Sequence, residues 1–359
     1  MTSAPEGRLR LAVDAGALAR DRRGMGRVVR ATLRCARADP ACHVTLLARD
    51  ADARALRAEF LDVDIEAPAS AKQHGRYDVV WYPFNGMRFR SAAPALVTMH
   101  DAFAFTEPHP KRIARLREQA PIRRAAREAV RVMAVSAWTR HELARELHLV
   151  EDSIAVVHSA PDQYFFPGSG DLLPAPLDAR RFVLVVGVRE ARKNARLAID
   201  ACALALRAPS ETLVVVGELG QADRERARRA GVPAGEIAAS DVTLRALYRN
   251  AAVVLVPSLA EGFGLVALEA LACGAPVLAS NRSALPEATA GAAELLDPAD
   301  AAAWATAIRS LLDDPLRAAM LGARGAAHFA GADRSAGARG TLALLRETAQ
   351  VGIDRRPRA

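Results

Sequence analysis

Glu261 and Glu269 stand eight positions apart in SLAEGFGLVALEALACGAPVLAS, residues 258 to 280, where a glycine-rich turn runs into an apolar helix. A carboxylate repels phosphate but accepts hydrogen bonds from two adjacent hydroxyls. The pair therefore suits the neutral hydroxyls of a ribose and a hexose. The amides between them, at a helix start carrying partial positive charge, suit an anion. Gly262 and Gly264, interleaved with Phe263 and Leu265, let the backbone come close to such a ligand.

A second cluster is cationic. The run RFVLVVGV, residues 181 to 188, passes Gly187 and is followed by Arg189, Arg192, Lys193 and Asn194 at the opening of a helix. Cations at the carboxyl end of a strand, beside a helix N-terminus, suit a diphosphate. Arg189 reads either as a helper or as a solvated side chain. His100 and Asp101 close ALVTMHD, and a His-Asp pair at the carboxyl end of a strand can hydrogen-bond a hydroxyl or an attacking group. Asn85 and Asp101 are candidates for orienting groups or acceptor contacts.

Two motifs are weaker. RRGMGR carries Gly24 and Gly26 but lacks a third glycine and lies about ten residues beyond its strand, so a dinucleotide fingerprint fails on context. Asp14, at the preceding strand end, is a candidate cap for that loop. Asp62-Val63-Asp64 imitates an acidic metal motif, but FLDVDIEAPAS reads as an edge strand and loop without a partner ligand, so no metal is assigned.

The elements that must position these residues alternate. Runs at 9–15, 43–49, 78–83, 95–101, 131–136 and 153–159 read as buried strands, with turns and helices between, as over 26–38. A second series covers 181–188, 211–218, 252–258, 275–280 and 293–297, with helices over 194–207 and 244–249. Such alternation predicts an α/β chain of two doubly wound parallel-sheet domains. FPGSGDLLPAPLDA, residues 166–179, reads as the linker. The expected division is 1–168, 169–335 and a carboxy-terminal helix with tail, 336–359, packing back on the first domain. Ligands of open α/β sheets sit beyond the carboxyl ends of the strands, so the function is expected in a cleft between the halves.

Composition bounds the partners. The 359 residues are 51% hydrophobic, with no uncharged apolar run long enough to span a membrane and an amino terminus that does not read as an export signal. Four cysteines without metal or disulfide spacing fit a reducing compartment, and the expected location is cytoplasmic. The net charge of +8 favours anionic partners, but 5% aromatic residues and no DNA-binding motif argue against nucleic acid. Lys111 to Arg131 holds eight basic and two acidic residues around Pro121. It reads as a solvated helical pair or as a peripheral surface for anionic lipids at the inner face of the plasma membrane.

In GMGRVVRATL, VTMHDAFAF, AVSAWTRHELARE, VVGVREARKN, LYRNAAVVLVPSLAEGFGLVALEALACGAPVLAS and LPEATAGAAELLDPAD, in this order, the chain resembles glycosyltransferase family 4 nearly end to end. The resemblance implies the GT-B fold of two Rossmann-like domains and retaining transfer of a hexose from a nucleoside diphosphate sugar, without cofactor or metal. It implies that Glu269 accepts from the nucleotide ribose and Glu261 faces the transferred sugar. Arg192 and Lys193 would neutralise the leaving diphosphate, with Arg192 supplying the charge that many relatives place directly after the glycine, where this chain has Val188. His100 would lie beside the donor sugar, and Gly24 and Gly26 would belong to a loop that closes over the donor or admits acceptor, Gly26 making the nearer contact. The pattern resembles mannosyltransferases of bacterial surface polysaccharides, so GDP-mannose leads over UDP- and dTDP-sugars, with a glycan or lipid-linked saccharide as acceptor. A natural-product glycosyltransferase, a GT-B epimerase or phosphorylase, and a noncatalytic nucleotide-sugar sensor are the alternatives.

Overall fold

The computed structural model describes residues 8–108, 111–175, 177 and 181–354. The chain divides into two compact units, residues 1–160 with 335–359, and residues 161–334. The change of unit thus falls at Ala160–Pro161 and not within 166–179. That segment belongs to the second unit, where Arg249 donates to the Phe166 carbonyl at 2.9 Å and both Arg245 and Arg249 grip Asp171 at 3.0 and 2.7 Å.

The first unit is a seven-stranded parallel sheet in the order β3-β2-β1-β4-β5-β6-β7. Its strands are β1 (Leu9–Asp14), β2 (Cys42–Leu47), β3 (Asp64–Glu66), β4 (Val79–Tyr82), β5 (Ala95–Met99), β6 (Arg131–Ala134) and β7 (Ile154–Val156). Successive side chains of a strand face opposite sides. Accordingly Leu11, Val13, Val79 and Trp81 join one apolar cluster, while Ala12, Val80, Tyr82 and Val97 join another. Burial on both faces is why these strands read as unbroken apolar runs. Helix α1 (Gly24–Ala38) packs Val29 and Leu33 into the first cluster. α2 (Asp50–Glu59), α3 (Phe103–Thr106), α4 (Arg112–Glu128) and α5 (Ala137–Leu147) complete the crossovers.

The basic stretch from Lys111 is one helix and not a pair, with Pro121 inside α4. Proline deletes one helical hydrogen bond, but the buried face of Gln119, Ile122 and Ala125 continues across it. The Pro121 carbonyl accepts from Met87 N–H at 3.0 Å. Gly86, at φ +113°, brings its backbone against Pro121, where a Cβ would stand 2.6 Å from the carbonyl carbon.

The second unit is a six-stranded parallel sheet, β10-β9-β8-β11-β12-β13. It is built from β8 (Arg181–Val186), β9 (Glu211–Val216), β10 (Ala234–Ile237), β11 (Val253–Val256), β12 (Val277–Ser280) and β13 (Glu294–Leu296). Helices α6 (Ala195–Ala205), α7 (Gln221–Arg229), α8 (Asp241–Asn250), α9 (Leu265–Ala272), α10 (Leu285–Thr289), α11 (Ala301–Asp313) and α12 (Pro315–Phe329) surround it. The last helix, α13 (Ala336–Asp354), returns to the first unit, where Leu342 and Leu345 enter the core beside Leu33. Gly337 permits this approach, since a Cβ there would lie 2.4 Å from the His158 carbonyl oxygen.

Candidate functional site

β8 is followed by Gly187 at φ +74°, a backbone setting that favours glycine, with 4 Å of open space where a Cβ would go. Val188 turns into the core, and a single 3-10 turn, Ala191–Lys193, presents the two cations. Asn194 ends the turn in the left-handed region at φ +56° and starts α6. Its side-chain amide donates to the carbonyls of Pro257 and Pro298, both at 3.1 Å. This one residue ties the loop after β8 to the loops after β11 and β13.

Glu261 follows β11 and is buried to 6% exposure. Its Oε1 accepts from Lys193 Nζ at 2.6 Å and from Ser258 Oγ at 2.7 Å. Its Oε2 lies 3.4 Å from Arg192 Nη1, which also donates to the Ala260 carbonyl at 3.2 Å. The Glu261 N–H donates to Ser283 Oγ at 2.9 Å, and Leu259 N–H to the Arg192 carbonyl at 2.7 Å. Burial alone would push the Glu261 carboxyl up, but Lys193 and Arg192 outweigh it, and the group titrates below its ordinary value. Arg192 also contacts Glu190. Two cations and two carboxylates therefore form one compensated network in which the basic and acidic motifs meet.

Gly264, at φ +98°, leads into α9, which starts without a side-chain cap. A Cβ on Gly264 would stand 2.6 Å from a Leu285 methyl, so both the packing of the turn EGFGL and its backbone conformation call for glycine. Gly262 and Phe263 are buried with it, and Leu265 opens the helix half-buried. Glu269, in α9, is 3% exposed and accepts from the Tyr248 hydroxyl at 3.3 Å. Cys273, just beyond, is held as a thiol by burial, its pKa pushed up to about 12. Arg189 is exposed and makes no ion pair among the described residues.

The first unit holds the remaining candidates. His100 follows β5, is 7% exposed, and its Nε2 lies 2.8 Å from the Pro83 carbonyl, a contact that makes Nε2–H the donor. Burial lowers its pKa, against the opposing fields of Asp101 and Asp21, so the ring is neutral at pH 7. Asn85, at φ +39°, accepts the His100 N–H on Oδ1 at 2.6 Å and thereby orients the histidine's backbone. Asp101 accepts from Phe103 N–H at 3.1 Å, at the start of α3. Asp14 accepts from Gly16 N–H at 3.2 Å, closing the turn after β1, and burial raises its pKa.

Gly24 and Gly26 lie inside the first turn of α1 and not in the loop before it. A Cβ on Gly26 would stand 1.9 Å from the Asp21 carbonyl oxygen, so its close contact is with the chain's own backbone. Asp62 and Asp64 face Arg37 and His43, at 4.0 and 3.0 Å. Ser258, Ser283 and Tyr248 were not among the candidates from sequence. The Ser-x-x-Glu spacing of 258 and 261, a capping-box pattern, is a signal that would have found the first of them.

Residues 175–328 match the model of the family of glycosyl transferases group 1. The chain is similar to O-antigen chain mannosyltransferase B of Escherichia coli, 34% identical over 242 residues, 62% of each protein. It is also similar to D-inositol 3-phosphate glycosyltransferase 1 of Catenulispora acidiphila, 34% identical over 263 residues, 63% of this chain and 59% of that protein. It thus spans about three fifths of the length of these curated relatives. Among solved structures, Anabaena HepE in complex with UDP and glucose aligns with a TM-score of 0.73 at 18% identity, over 94% of this chain and 99% of that one. WaaG, a glycosyltransferase involved in lipopolysaccharide biosynthesis, aligns at 0.67 and 16% identity, over 93% and 99%. The fold is therefore that of the GT-B glycosyltransferases, two parallel-sheet α/β units.

Proposed function

We propose that this chain is a group 1 glycosyltransferase that moves a hexose, mannose first, from a nucleoside diphosphate sugar to a hydroxyl of a growing glycan or lipid-linked saccharide in bacterial surface polysaccharide assembly. The observation that carries the reading is the buried Lys193–Glu261 contact of 2.6 Å, joined by Arg192, within the segment that matches the family. The bond from the anomeric carbon to the diphosphate breaks, the acceptor oxygen bonds that carbon on the same face, and the acceptor proton leaves with the departing phosphate oxygen. The barrier is charge separation, and fixed cations in a water-poor site lower it most. Lys193 and Arg192 supply that charge without a divalent ion. Glu261 holds them in place and faces the sugar, and Glu269 accepts from the ribose. His100, neutral, hydrogen-bonds a sugar hydroxyl. HepE was solved with UDP and with UDP-glucose, which supports a nucleotide-sugar donor here.

The acceptor reading includes a cytoplasmic enzyme resting on the inner membrane face. No described helix is long and apolar enough to cross a membrane. On α4, however, Ile113 and Leu116 are exposed among the exposed Arg112, Arg117, Arg123 and Arg127, an arrangement suited to an anionic lipid surface. Incubation with GDP-mannose, UDP-glucose and dTDP-glucose, with extracted lipid-linked oligosaccharide as acceptor and with EDTA throughout, tests the whole reading. Transfer from one donor, undiminished by EDTA, is expected. Epimer formed from donor alone, or binding without turnover, would contradict it.

A further inference from the structure

A cavity of about 460 Å³ in the first unit is lined by Lys72, Arg88, Phe89, Arg90 and Arg124. Four of the five are cations, and they come from three places in the chain: the 3-10 turn Pro68–Lys72 after β3, the loop between β4 and β5, and α4. Arg90 is neutralised by Glu128 at 2.8 Å. Arg124 donates to the Met87 carbonyl at 3.1 Å. Among the described residues, neither it nor Lys72 nor Arg88 has a carboxylate within ion-pair distance. Arg245 and Arg249, by contrast, meet at one place and share Asp171. Glu128 and Asp14 lie in the fields of Arg124 and Arg88 and offset part of their charge without pairing directly with them, so three cations converging on one cavity still repel one another, and a multiply charged anion removes that repulsion.

Next to the cavity stands an orphaned polar group. The Tyr82 ring packs 5.1 Å from Phe89, the side chain is fully buried, and its hydroxyl has no hydrogen-bond partner among the described residues. Burial pushes that hydroxyl's pKa up, Asp14 at the end of β1 and Glu128 add to the rise, and Arg124 opposes it. A phosphoryl group matches these features better than a carboxylate does. It carries up to two charges and three acceptor oxygens, and guanidinium groups bind it by paired N–H bonds. Phe89 adds an apolar wall.

We propose that this cavity binds a phosphoryl group of the acceptor, carried either by a free sugar phosphate or by the diphosphate of a lipid-linked saccharide. The assignment to an acceptor rests on the glycosyltransferase reading, because the cations proposed for the donor diphosphate, Arg192 and Lys193, belong to the other unit.

The test is calorimetric titration with glucose 1-phosphate and with farnesyl diphosphate. Both are run on Lys193→Gln protein, so that the Glu261 cluster contributes little, and on the same protein carrying Lys72→Gln and Arg88→Gln. Both added substitutions are at exposed side chains outside the core, and an unchanged Tm checks the fold. At least one probe is expected to bind and to lose about tenfold or more in affinity when the two cations are removed. Loss with glucose 1-phosphate assigns a free sugar phosphate, and loss confined to farnesyl diphosphate assigns the lipid-linked source. Absence of binding by both probes, or equal affinity in both proteins, overturns the proposal. Phosphate binding lost as expected, while the wild-type protein transfers from no donor, would leave the cavity standing and remove the glycosyltransferase reading. Transfer by the wild-type protein, with phosphate affinity unaltered by the two added substitutions, would do the reverse.

Discussion

In the second unit Lys193 and Arg192 close on a buried carboxylate, Glu261, so its loop carries charge of both signs in balance. In the first unit the buried His100 and Tyr82 are neutral, and among the described residues Lys72, Arg88 and Arg124 make no direct ion pair, Asp14 and Glu128 reaching Arg88 and Arg124 only through longer-range fields. The same sheet architecture thus carries two electrostatic designs. Balanced charge holds Lys193 and Arg192 in a fixed geometry before any ligand arrives, which is what stabilising a departing diphosphate requires. A neutral histidine and cations without direct ion pairs suit recognition of hydroxyls and of an external anion.

The comparison breaks first at Lys193. Lys193→Met is expected to lower transfer turnover by about 100-fold or more, as loss of a preorganised electrostatic donor does. Near-normal initial rates would place the charge stabilisation elsewhere. Gly26→Ala and Gly187→Ala sharpen the contrast between the first turn of α1 and the loop after β8. The first drives a Cβ into the Asp21 carbonyl and is expected to cost about 1–3 kcal/mol in urea unfolding. The second meets open space and is expected to cost about 1 kcal/mol through backbone strain alone.

Acidification separates the units by a smaller margin. His100 titrates near 6.5 when unfolded and lower when folded, so below about pH 6.5 the unfolded chain binds more protons and stability falls. Glu261, ordinarily near 4.5, is also lowered on folding; its contribution is full above that value and is lost as pH falls through the folded pKa. Thermal unfolding from pH 8 to 3 is expected to show the upper step vanish in His100→Gln and the lower one in Glu261→Gln. A wild-type profile flat between pH 7 and 5 would contradict the buried neutral histidine.

Much of the fold was legible because most strands are buried on both faces and read as apolar runs, RFVLVVGV above all. β3 was legible as an edge strand. β10 was not, since Ala234–Ile237 is mainly exposed Ala, Gly and Glu and owes its conformation to pairing with Leu213–Val216. The unit boundary was misplaced because Pro and Gly in 166–179 signal irregular chain, whereas the arginines that hold this segment on the second unit lie about 80 positions away. At the site, the residue types and their strand ends were readable. The closing of Lys193 on Glu261, 68 positions downstream, and the bond from Ser283 depend on which strands pair, and local sequence does not carry that. Gly26 was ambiguous because close approach to a ligand and close approach to the chain's own carbonyl leave the same mark in a sequence.

The most direct measurement is calorimetric titration of the wild-type protein, Lys193→Met and Glu269→Gln with UDP, GDP and dTDP. Tight binding of at least one nucleoside diphosphate is expected, weakened about tenfold or more by either substitution. Equal affinity in all three proteins would contradict the assignment of the Lys193–Glu261 network and Glu269 to the donor.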